Sequence, residues 1–402
     1  EVIATRDVLL VAGMRPVQRD RLRSAGIRSI DELAATEVGP AGMNPETYAG
    51  LRTQARLQLA SPAGVPDPAG RSETATPLYE VVLPEALATM PRPDLGDIFF
   101  DFEGDPLYTE PGAADRWGID YLFGWIDLQE QYTPLWAHTF ADEKEALERF
   151  CDFVAARRAA HSGMHIYHYA PYEPTHLAAM AARHGVREGD VDRMLRDELF
   201  VDLYPIVRRA LRVGSRSYSI KKLEPLYMGD EVRTQDVQQG GDSILRYVEA
   251  RELIAGGETD AAGVILADLA DYNRYDCVST RRLRDWLVER ARETRMLPAR
   301  PDELEAFTYE PSPLALALTA RASDRDPQDP DAVALRLGAA AIDYYPRERK
   351  SFGQGHFQRL REPLSLWADT RDVIAVDAAR TRVLADTSVS FRAVALDAYG
   401  NS

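Results

Sequence analysis

The stretch Ile98-Phe99-Phe100-Asp101-Phe102-Glu103-Gly104 places two acids inside an otherwise apolar run. Successive side chains of a strand point to opposite faces of its sheet. A strand here places Asp101 and Glu103 on one face, about 7 Å apart, and the phenylalanines beside them on the other. Two carboxylates at the rim of an apolar strand are costly to hold without cations, and hard divalent metals prefer oxygen ligands. The stretch therefore predicts a metal site, unless it is a strand end that happens to be acidic.

The residues around this stretch alternate between strand-like and helix-like patterns, which indicates an α/β domain over residues 96–296. The predicted strands are 98–103, 121–126, 134–138 and 165–169, and the predicted helices are 141–160, 173–184, 201–211, 219–226 and 267–291.

A second acidic motif is His168-Tyr169-Ala170-Pro171-Tyr172-Glu173, followed by a helical pattern. A strand is predicted to end and a helix to begin at residues 171–173. Glu173 then lies in a first helical turn, where the helix dipole favours a carboxylate. The motif alone indicates no more than a favourable glutamate at a helix start.

A third motif lies in the predicted helix 267–291, where Tyr272 and Asp276 are four residues apart and share one face. The leucines 269, 283 and 287 extend nearly the same stripe. An aspartate and a tyrosine on an apolar stripe need partners. A metal ion for Asp276 and a water for Tyr272 would serve, and the alternative is a partly exposed polar helix.

In this order and spacing the three motifs resemble the DEDD superfamily of 3′–5′ exonucleases, in its tyrosine (DEDDy) form. That superfamily has Asp-x-Glu on its first strand, a carboxylate at the end of an Asn-Ala-x-Phe-Asp type motif, and Tyr-x-x-x-Asp on a late helix. Asp101 and Glu103 match the first motif, and Tyr272 and Asp276 match the third.

The second motif departs from the superfamily pattern at two positions. Tyr169 stands in place of Asn, and Glu173 stands in place of Asp. A glutamate is longer by one methylene group, which moves its carboxylate and alters metal occupancy. Asp202 therefore stays open as an alternative fourth ligand.

A narrower resemblance covers residues 96–296. The segments DFEGDP (101–106), HYAPYE (168–173), FVDLYP (200–205), YSIKKLEPLY (218–227) and YNRYD (272–276) together resemble the RNase H-like domain of bacterial RecB-like nuclease–helicase fusion proteins. This resemblance implies an RNase H-like mixed five-stranded sheet flanked by helices. It also implies RecB-like nuclease and helicase domains elsewhere in the same full-length chain. Because the sequence starts at Glu1 and has no phosphate-binding GxxxxGK[ST] loop, we expect a part of such a chain that lacks the helicase ATP site.

The superfamily resemblance further implies hydrolysis with two Mg²⁺ or Mn²⁺ ions. Asp101 would bridge both ions, Glu103 and Asp276 would hold the ion that carries the attacking water, and Glu173 would complete the second. Tyr272 would orient that water, and nucleoside monophosphates would leave the 3′ end of single-stranded or frayed DNA, or of RNA. Two alternatives stay open: an RNase H-like nucleic-acid-binding module without turnover, and a structure-specific endonuclease.

Residues 208–222 carry six basic side chains and no acidic one, in a chain of net charge −16. Such a segment either follows the phosphates of a nucleic acid or is a solvated helix face. The local excess favours nucleic-acid binding by Arg208, Arg209, Arg212, Arg216, Lys221 and Lys222. A second basic stretch, 345–361, is a weaker DNA-contact prediction.

The flanking regions predict further domains. Residues 1–61 resemble a helix-hairpin-helix module, with Ser29 as a helix N-cap and Gly26 at positive φ. Such a module holds DNA backbone through loop amides and flanking arginines, and the alternative is a small helical packing domain. Residues 62–95 are predicted as a linker. Residues 297–402 are predicted as an α+β extension, with a helix at 331–345 and strands within 373–399.

Composition limits the class of protein. The chain has 402 residues, of which 45% are hydrophobic. The acidic balance argues against a surface coated for nucleic acid and fits a carboxylate site neutralised by metal ions. Cys151 and Cys277, the only cysteines, cannot form a cysteine zinc site, and a reduced cytoplasmic setting is the default. The sequence shows no signal peptide and no apolar run near the ~18–20 residues of a membrane helix.

Overall fold

The computed structural model describes residues 1–62, 64–65, 76–112, 116–229, 231, 240–296, 311–326, 329–342 and 344, together with four two-residue strands between positions 375 and 396. The chain divides into two compact units. The first comprises Glu1–Ala41 and Ala49–Arg300, and the second comprises Gly42–Tyr48 and Pro301–Ser402.

The described part of the chain up to residue 296 contains both helices and strands. In chain order they are α1 (Pro16–Ser24), α2 (Ile30–Ala35), α3 (Pro45–Ala60), β1 (Tyr79–Val81), β2 (Ile98–Asp105), β3 (Ile119–Ile126), β4 (Tyr132–Trp136), α4 (Phe140–Ala160), β5 (Ile166–His168), α5 (Tyr172–His184), α6 (Glu188–Arg196), β6 (Phe200–Asp202), α7 (Leu203–Ala210), β7 (Leu211–Val213), α8 (Ile220–Leu223), α9 (Gly240–Ala255) and α10 (Thr259–Glu293), with short 3-10 turns at Val8–Leu10, Pro84–Thr89 and Glu224–Leu226.

Five strands form one mixed sheet in the order β4-β3-β2-β5-β6. The strand β2 pairs antiparallel with β3, and β3 pairs antiparallel with β4. The strand β5 lies parallel to both β2 and β6. The predicted five-stranded mixed sheet flanked by helices is confirmed. Because β2, β5 and β6 are parallel, their carboxyl ends, which carry the acidic motifs, share one edge of the sheet.

The two faces of β2 differ as the sequence alternation predicts. Ile98, Phe100 and Phe102 belong to a buried core with α4, and the Phe100 and Phe150 rings stack with centroids 4.6 Å apart. On the opposite face, Phe99 lies under the helix α10. Asp101 and Glu103 share the face of Phe99, so the acids point toward α10 rather than into the aromatic core.

The predicted helix 201–211 is instead a strand, a helix and a strand, β6, α7 and β7. Asp202 ends β6 and caps α7, because its Oδ1 accepts the Tyr204 amide at 2.9 Å. β7 then pairs antiparallel with β1, which lies within the stretch predicted as a linker. The helices α6 and α9 are further elements outside the predicted set, and α10 begins eight residues before its predicted start at 267.

In the N-terminal region, Ser29 is a helix N-cap and Gly26 has a positive φ, as predicted. Ser29 accepts the Glu32 amide at 3.2 Å, and Gly26 has φ of 88° after α1. Asp7 binds Arg19 and Arg23, two of the arginines of this region. Hydrogen bonds from Arg19 and from a backbone amide, with the charge of Arg23, lower the pKa of Asp7 to about 2 despite its burial.

The second unit contains α11 (Pro313–Ser323) and α12 (Pro330–Ile342), of which α12 corresponds to the predicted helix 331–345. Four short strands lie within the predicted 373–399 segment: β8 (Ala375–Val376), β9 (Arg382–Val383), β10 (Phe391–Arg392) and β11 (Ala395–Leu396). They form the antiparallel pairs β8–β11 and β9–β10. The basic stretch 345–361 and residues 66–75 of the predicted linker lie outside the described residues. No helix in the described part of the chain is long and apolar enough to cross a membrane.

A buried ion pair joins α10 to the start of β2. Arg284 is 2% exposed, and its Nη1 donates to Asp97 Oδ2 at 2.8 Å. The guanidinium lies over the stacked rings of Phe99 and Tyr167, with its Cζ 4.8 Å from each centroid. This contact fixes α10 against the central strands.

We predict that Arg284→Ala lowers the free energy of unfolding by about 3–5 kcal/mol, because Asp97 stays buried but loses the guanidinium charge that balances its own. The control is Arg274→Ala on the same helix, whose ion pair with Asp271 is exposed and contributes at most about 1 kcal/mol. Urea denaturation of both variants provides the measurement. Equal losses in the two variants would show that the Arg284 pair does not anchor the helix.

Candidate metal centre

Three carboxylates from β2 and α10 meet at one point. Asp101, Glu103 and Asp276 each offer an oxygen atom, and these atoms all lie within 4.8 Å of one another. Glu103 is buried, and the other two are half-buried. Three like charges this close repel one another strongly when they are partly shielded from water. An all-carboxylate oxygen set at this spacing fits a hard divalent cation such as Mg²⁺ or Mn²⁺.

The elements position these side chains for simple geometric reasons. Asp101 and Glu103 are two residues apart on β2, so both face α10. Tyr272 and Asp276 are one turn apart on α10, so both face β2. The structure thus brings the first and third sequence motifs together.

Tyr272 is 4% exposed, and its hydroxyl accepts a hydrogen bond from Lys221 Nζ at 2.9 Å. Lys221 follows the start of α8 and lies 5.3 Å from the centroid of the Tyr272 ring. One residue of the predicted nucleic-acid-binding set therefore contacts Tyr272, which lies one helical turn from Asp276.

Glu173 lies in the first turn of α5, as its motif predicts, but it is not among the three clustered carboxylates. It is 2% exposed, and its Oε2 lies 3.0 Å from His168 Nδ1. Burial raises the pKa of the Glu173 carboxyl, and His168 counteracts the shift. The second motif is therefore a buried pair of Glu173 and His168 next to the cluster.

Asp202, the alternative ligand, is bound to backbone. Its Oδ1 accepts the Ala170 amide at 2.8 Å as well as the Tyr204 amide. Ala170 has φ of 76°, a left-handed conformation that a non-glycine residue rarely adopts. Asp202 thus holds the turn that leads from β5 to Glu173.

The buried thiol of Cys277 lies close enough to the four predicted ligands for their charges to affect its pKa. Burial raises the pKa of its thiol well above the ordinary range, and the charges of Asp101, Asp276, Glu173 and Glu103 raise it further. All four carboxylates therefore lie within electrostatic range of one buried position. A thiol with a raised pKa is a poor nucleophile, so Cys277 is a small buried residue rather than a catalytic one.

Two side chains with no role in the sequence motifs hydrogen-bond to the cluster. Asn273 Nδ2 donates to Asp101 Oδ2 at 2.9 Å, and Ser243 Oγ donates to Glu103 Oε2 at 2.9 Å. Asn273 directly follows Tyr272, so its place inside the third motif was an available signal. Ser243 lies on α9, a helix that the sequence pattern did not predict.

The other predicted basic residues lie on α7, β7 and α8 or in the loop between β7 and α8. Arg208 lies over the Tyr218 ring, 4.5 Å from its centroid. Arg216 is exposed, and Arg209, Arg212 and Lys222 are half-buried. Arg216 is therefore the member of this set most open to a large ligand.

Residues 98–288 match a family model described as RNase_H superfamily. The match begins at the first residue of β2 and ends within α10, so it spans the five-stranded sheet and the carboxylates. The fold of this region is RNase H-like. Searches of curated proteins and of solved structures found no match for the chain. The RNase H-like region supports a nuclease that acts on nucleic acid, and its carboxylate group is the kind of site with which such nucleases hold divalent metals.

We predict that Mn²⁺ raises the melting temperature of EDTA-treated protein by about 5–10 °C at a concentration 100 times the dissociation constant, because binding to the folded state stabilises it. Asp101→Asn and Asp276→Asn remove a charged ligand each, so the rise should disappear. Asp268→Asn changes a half-buried carboxylate of the same helix and should keep it. Thermal denaturation measures the shift, and a rise that survives both cluster variants would place the metal elsewhere.

Proposed function

We propose that the protein is a metal-dependent 3′–5′ exonuclease that hydrolyses phosphodiester bonds of single-stranded or frayed DNA, or of RNA. The observation that carries the proposal is the convergence of Asp101, Glu103 and Asp276 with Tyr272 on an RNase H-like sheet. These four residues match the set found in the tyrosine-type DEDD exonucleases. Glu173 is the proposed fourth carboxylate.

Four carboxylates would hold the metal ions. Asp101, Glu103 and Asp276 would hold the metal ions, with Glu173 completing the set from α5. Bound Mg²⁺ or Mn²⁺ ions supply Lewis-acid polarisation of the phosphate and activation of water.

Tyr272 and Lys221 act beside the carboxylates. The hydroxyl of Tyr272 is fixed by Lys221, and a fixed hydroxyl can orient an attacking water by hydrogen bonding. The ammonium group of Lys221 also places positive charge beside an acidic site, which favours a polyanionic substrate.

The motif resemblance supports a biological setting for this activity. We place it in DNA repair or processing, in a full-length chain that also carries RecB-like nuclease and helicase domains. The alternative is a nucleic-acid-binding module without turnover, and the burial of Glu173 beside His168, outside the three-carboxylate group, favours that alternative.

We predict that the protein with Mg²⁺ or Mn²⁺ shortens 5′-labelled single-stranded DNA from its 3′ end and releases mononucleotides. Asp101→Ala and Asp276→Ala should each reduce the rate by about 10³-fold or more, since several kcal/mol of charge stabilisation are lost. Asp268→Ala changes a half-buried carboxylate of α10 that pairs with Arg246 and is not one of the three clustered carboxylates, so it should keep the wild-type rate. Gel analysis of timed digests provides the rates.

Three outcomes would contradict the proposal. Unchanged rates in both cluster variants would remove the carboxylates from the mechanism. Cleavage of circular single-stranded DNA would show an endonuclease, because an exonuclease cannot open a circle. Binding of DNA with no cleavage would support the inactive module.

We further predict that Arg216→Glu weakens single-stranded DNA binding and reduces the slope of log affinity against log salt by about 1, because one phosphate contact is lost. Arg193→Glu makes the same charge change at an exposed position of α6 and should change neither quantity. Fluorescence anisotropy over a range of salt concentrations measures both. Equal effects of the two substitutions would indicate a general charge effect rather than a contact.

A further inference from the structure

The geometry assigns Asn273 as a positioning residue that holds the Asp101 carboxylate in the orientation required by the metal cluster. This inference rests on the metal-dependent function proposed above, and it adds a residue to the site that none of the DEDD motifs names. It is carried by the hydrogen bonds of Asn273, by its burial and by the absence of a side chain at Gly124.

The hydrogen bonds of Asn273 leave one orientation of its amide group. Nδ2 donates to Asp101 Oδ2 at 2.9 Å and to the Asp101 backbone oxygen at 3.2 Å. Oδ1 accepts the Tyr132 hydroxyl at 2.8 Å. An ionised carboxylate can only accept, so the NH₂ group must face Asp101 and the carbonyl oxygen must face the phenol. The side chain is 0% exposed, so water does not compete for these bonds.

Gly124 provides the space that Asn273 occupies. It lies directly opposite Asp101 in the β2–β3 ladder. A Cβ at this position would lie 1.6 Å from Asn273 Oδ1 and 2.7 Å from its Cγ, both impossible contacts. A glycine in the interior of a strand weakens it and often marks the close approach of another group. The approach of Asn273 is the physical reason for glycine at position 124.

This arrangement sets the Asp101 carboxylate before any ion binds. The terminal torsion of an aspartate is broad, so the backbone alone does not select the plane of its carboxylate. Repulsion from Glu103 and Asp276 favours rotation away from the cluster. The two bonds from Asn273 oppose that rotation by holding one carboxylate oxygen and the backbone together. Removal of a group that orients a metal ligand in this way typically lowers metal affinity by about 10–100-fold.

The same helix therefore contributes three functions to one site. Along α10, Tyr272 faces the proposed position of the water, Asn273 binds Asp101, and Asp276 joins the carboxylate group. Asn273 thus links Asp101 of β2 directly to the helix that carries Asp276.

The test uses two substitutions that act on the Asn273 contact from opposite sides. Asn273→Ala removes the amide, and Gly124→Ala displaces it from β3. The matched control is Val278→Ala, which shortens a buried side chain of α10. It lowers stability without changing a contact of Asp101. Each protein is crystallised without metal and is also titrated with Mn²⁺ by calorimetry, so that neither readout depends on nuclease activity.

We expect the Asp101 carboxylate to rotate or to adopt two orientations in both variants, and Mn²⁺ affinity to fall by about 10–100-fold. Val278→Ala should keep the wild-type orientation and affinity. An unchanged Asp101 in the variants overturns the inference, and so do Mn²⁺ affinities equal to that of the wild type. If the wild-type protein binds no Mn²⁺, the proposed function fails, and the orientation of Asp101 alone then decides the role of Asn273.

Discussion

The contact between the central strand β2 and the long helix α10 is the constraint on which the rest of the structure depends. One face of β2 is aromatic and buried, and the other carries two acids that cannot be buried against an apolar helix. Where α10 meets Asp101 and Glu103, it therefore presents polar side chains. These are Tyr272, Asn273 and Asp276. Further along it presents Arg284, which pairs with Asp97 and stacks on the rings beneath it.

This contact places functional groups where they oppose folding. Three carboxylates within 4.8 Å of one another are unfavourable until cations neutralise them. Proteins tolerate such local destabilisation at sites that need it for activity, and they compensate elsewhere. Here the buried Arg284 pair, the aromatic core on the opposite face and the hydrogen bonds from Asn273 and Ser243 supply that compensation. The metal ions of the proposed nuclease would complete it.

The sequence predicted the parts of the fold and the site that depend on local periodicity. Alternation along 98–104 correctly placed Asp101 and Glu103 on one face of β2. The four-residue spacing correctly placed Tyr272 and Asp276 on one face of α10. Contacts across the sheet carry no local signal, so the fit of Asn273 against Gly124, 149 positions earlier in the chain, could not be predicted. Ser243 was beyond prediction because the helix that presents it was not recognised.

Short elements were the other source of error. The three-residue strands β6 and β7 offer too few residues for alternation to appear, and the apolar run through 201–211 is equally typical of a helix. The turn chemistry of Asp202, which caps α7 and holds the Ala170 amide, is what separates the strand from the helix. The pairing of Glu173 with His168 is likewise a consequence of tertiary packing and not of the motif itself.

The most direct test of the account is a crystal structure of the protein grown with Mn²⁺, with the ions located by their anomalous scattering. We predict Mn²⁺ bound by Asp101, Glu103 and Asp276, and a second ion that draws Glu173 away from His168 while Asp202 keeps its two backbone amides. Anomalous peaks at other positions, with the three carboxylates binding no ion at saturating Mn²⁺, would contradict it.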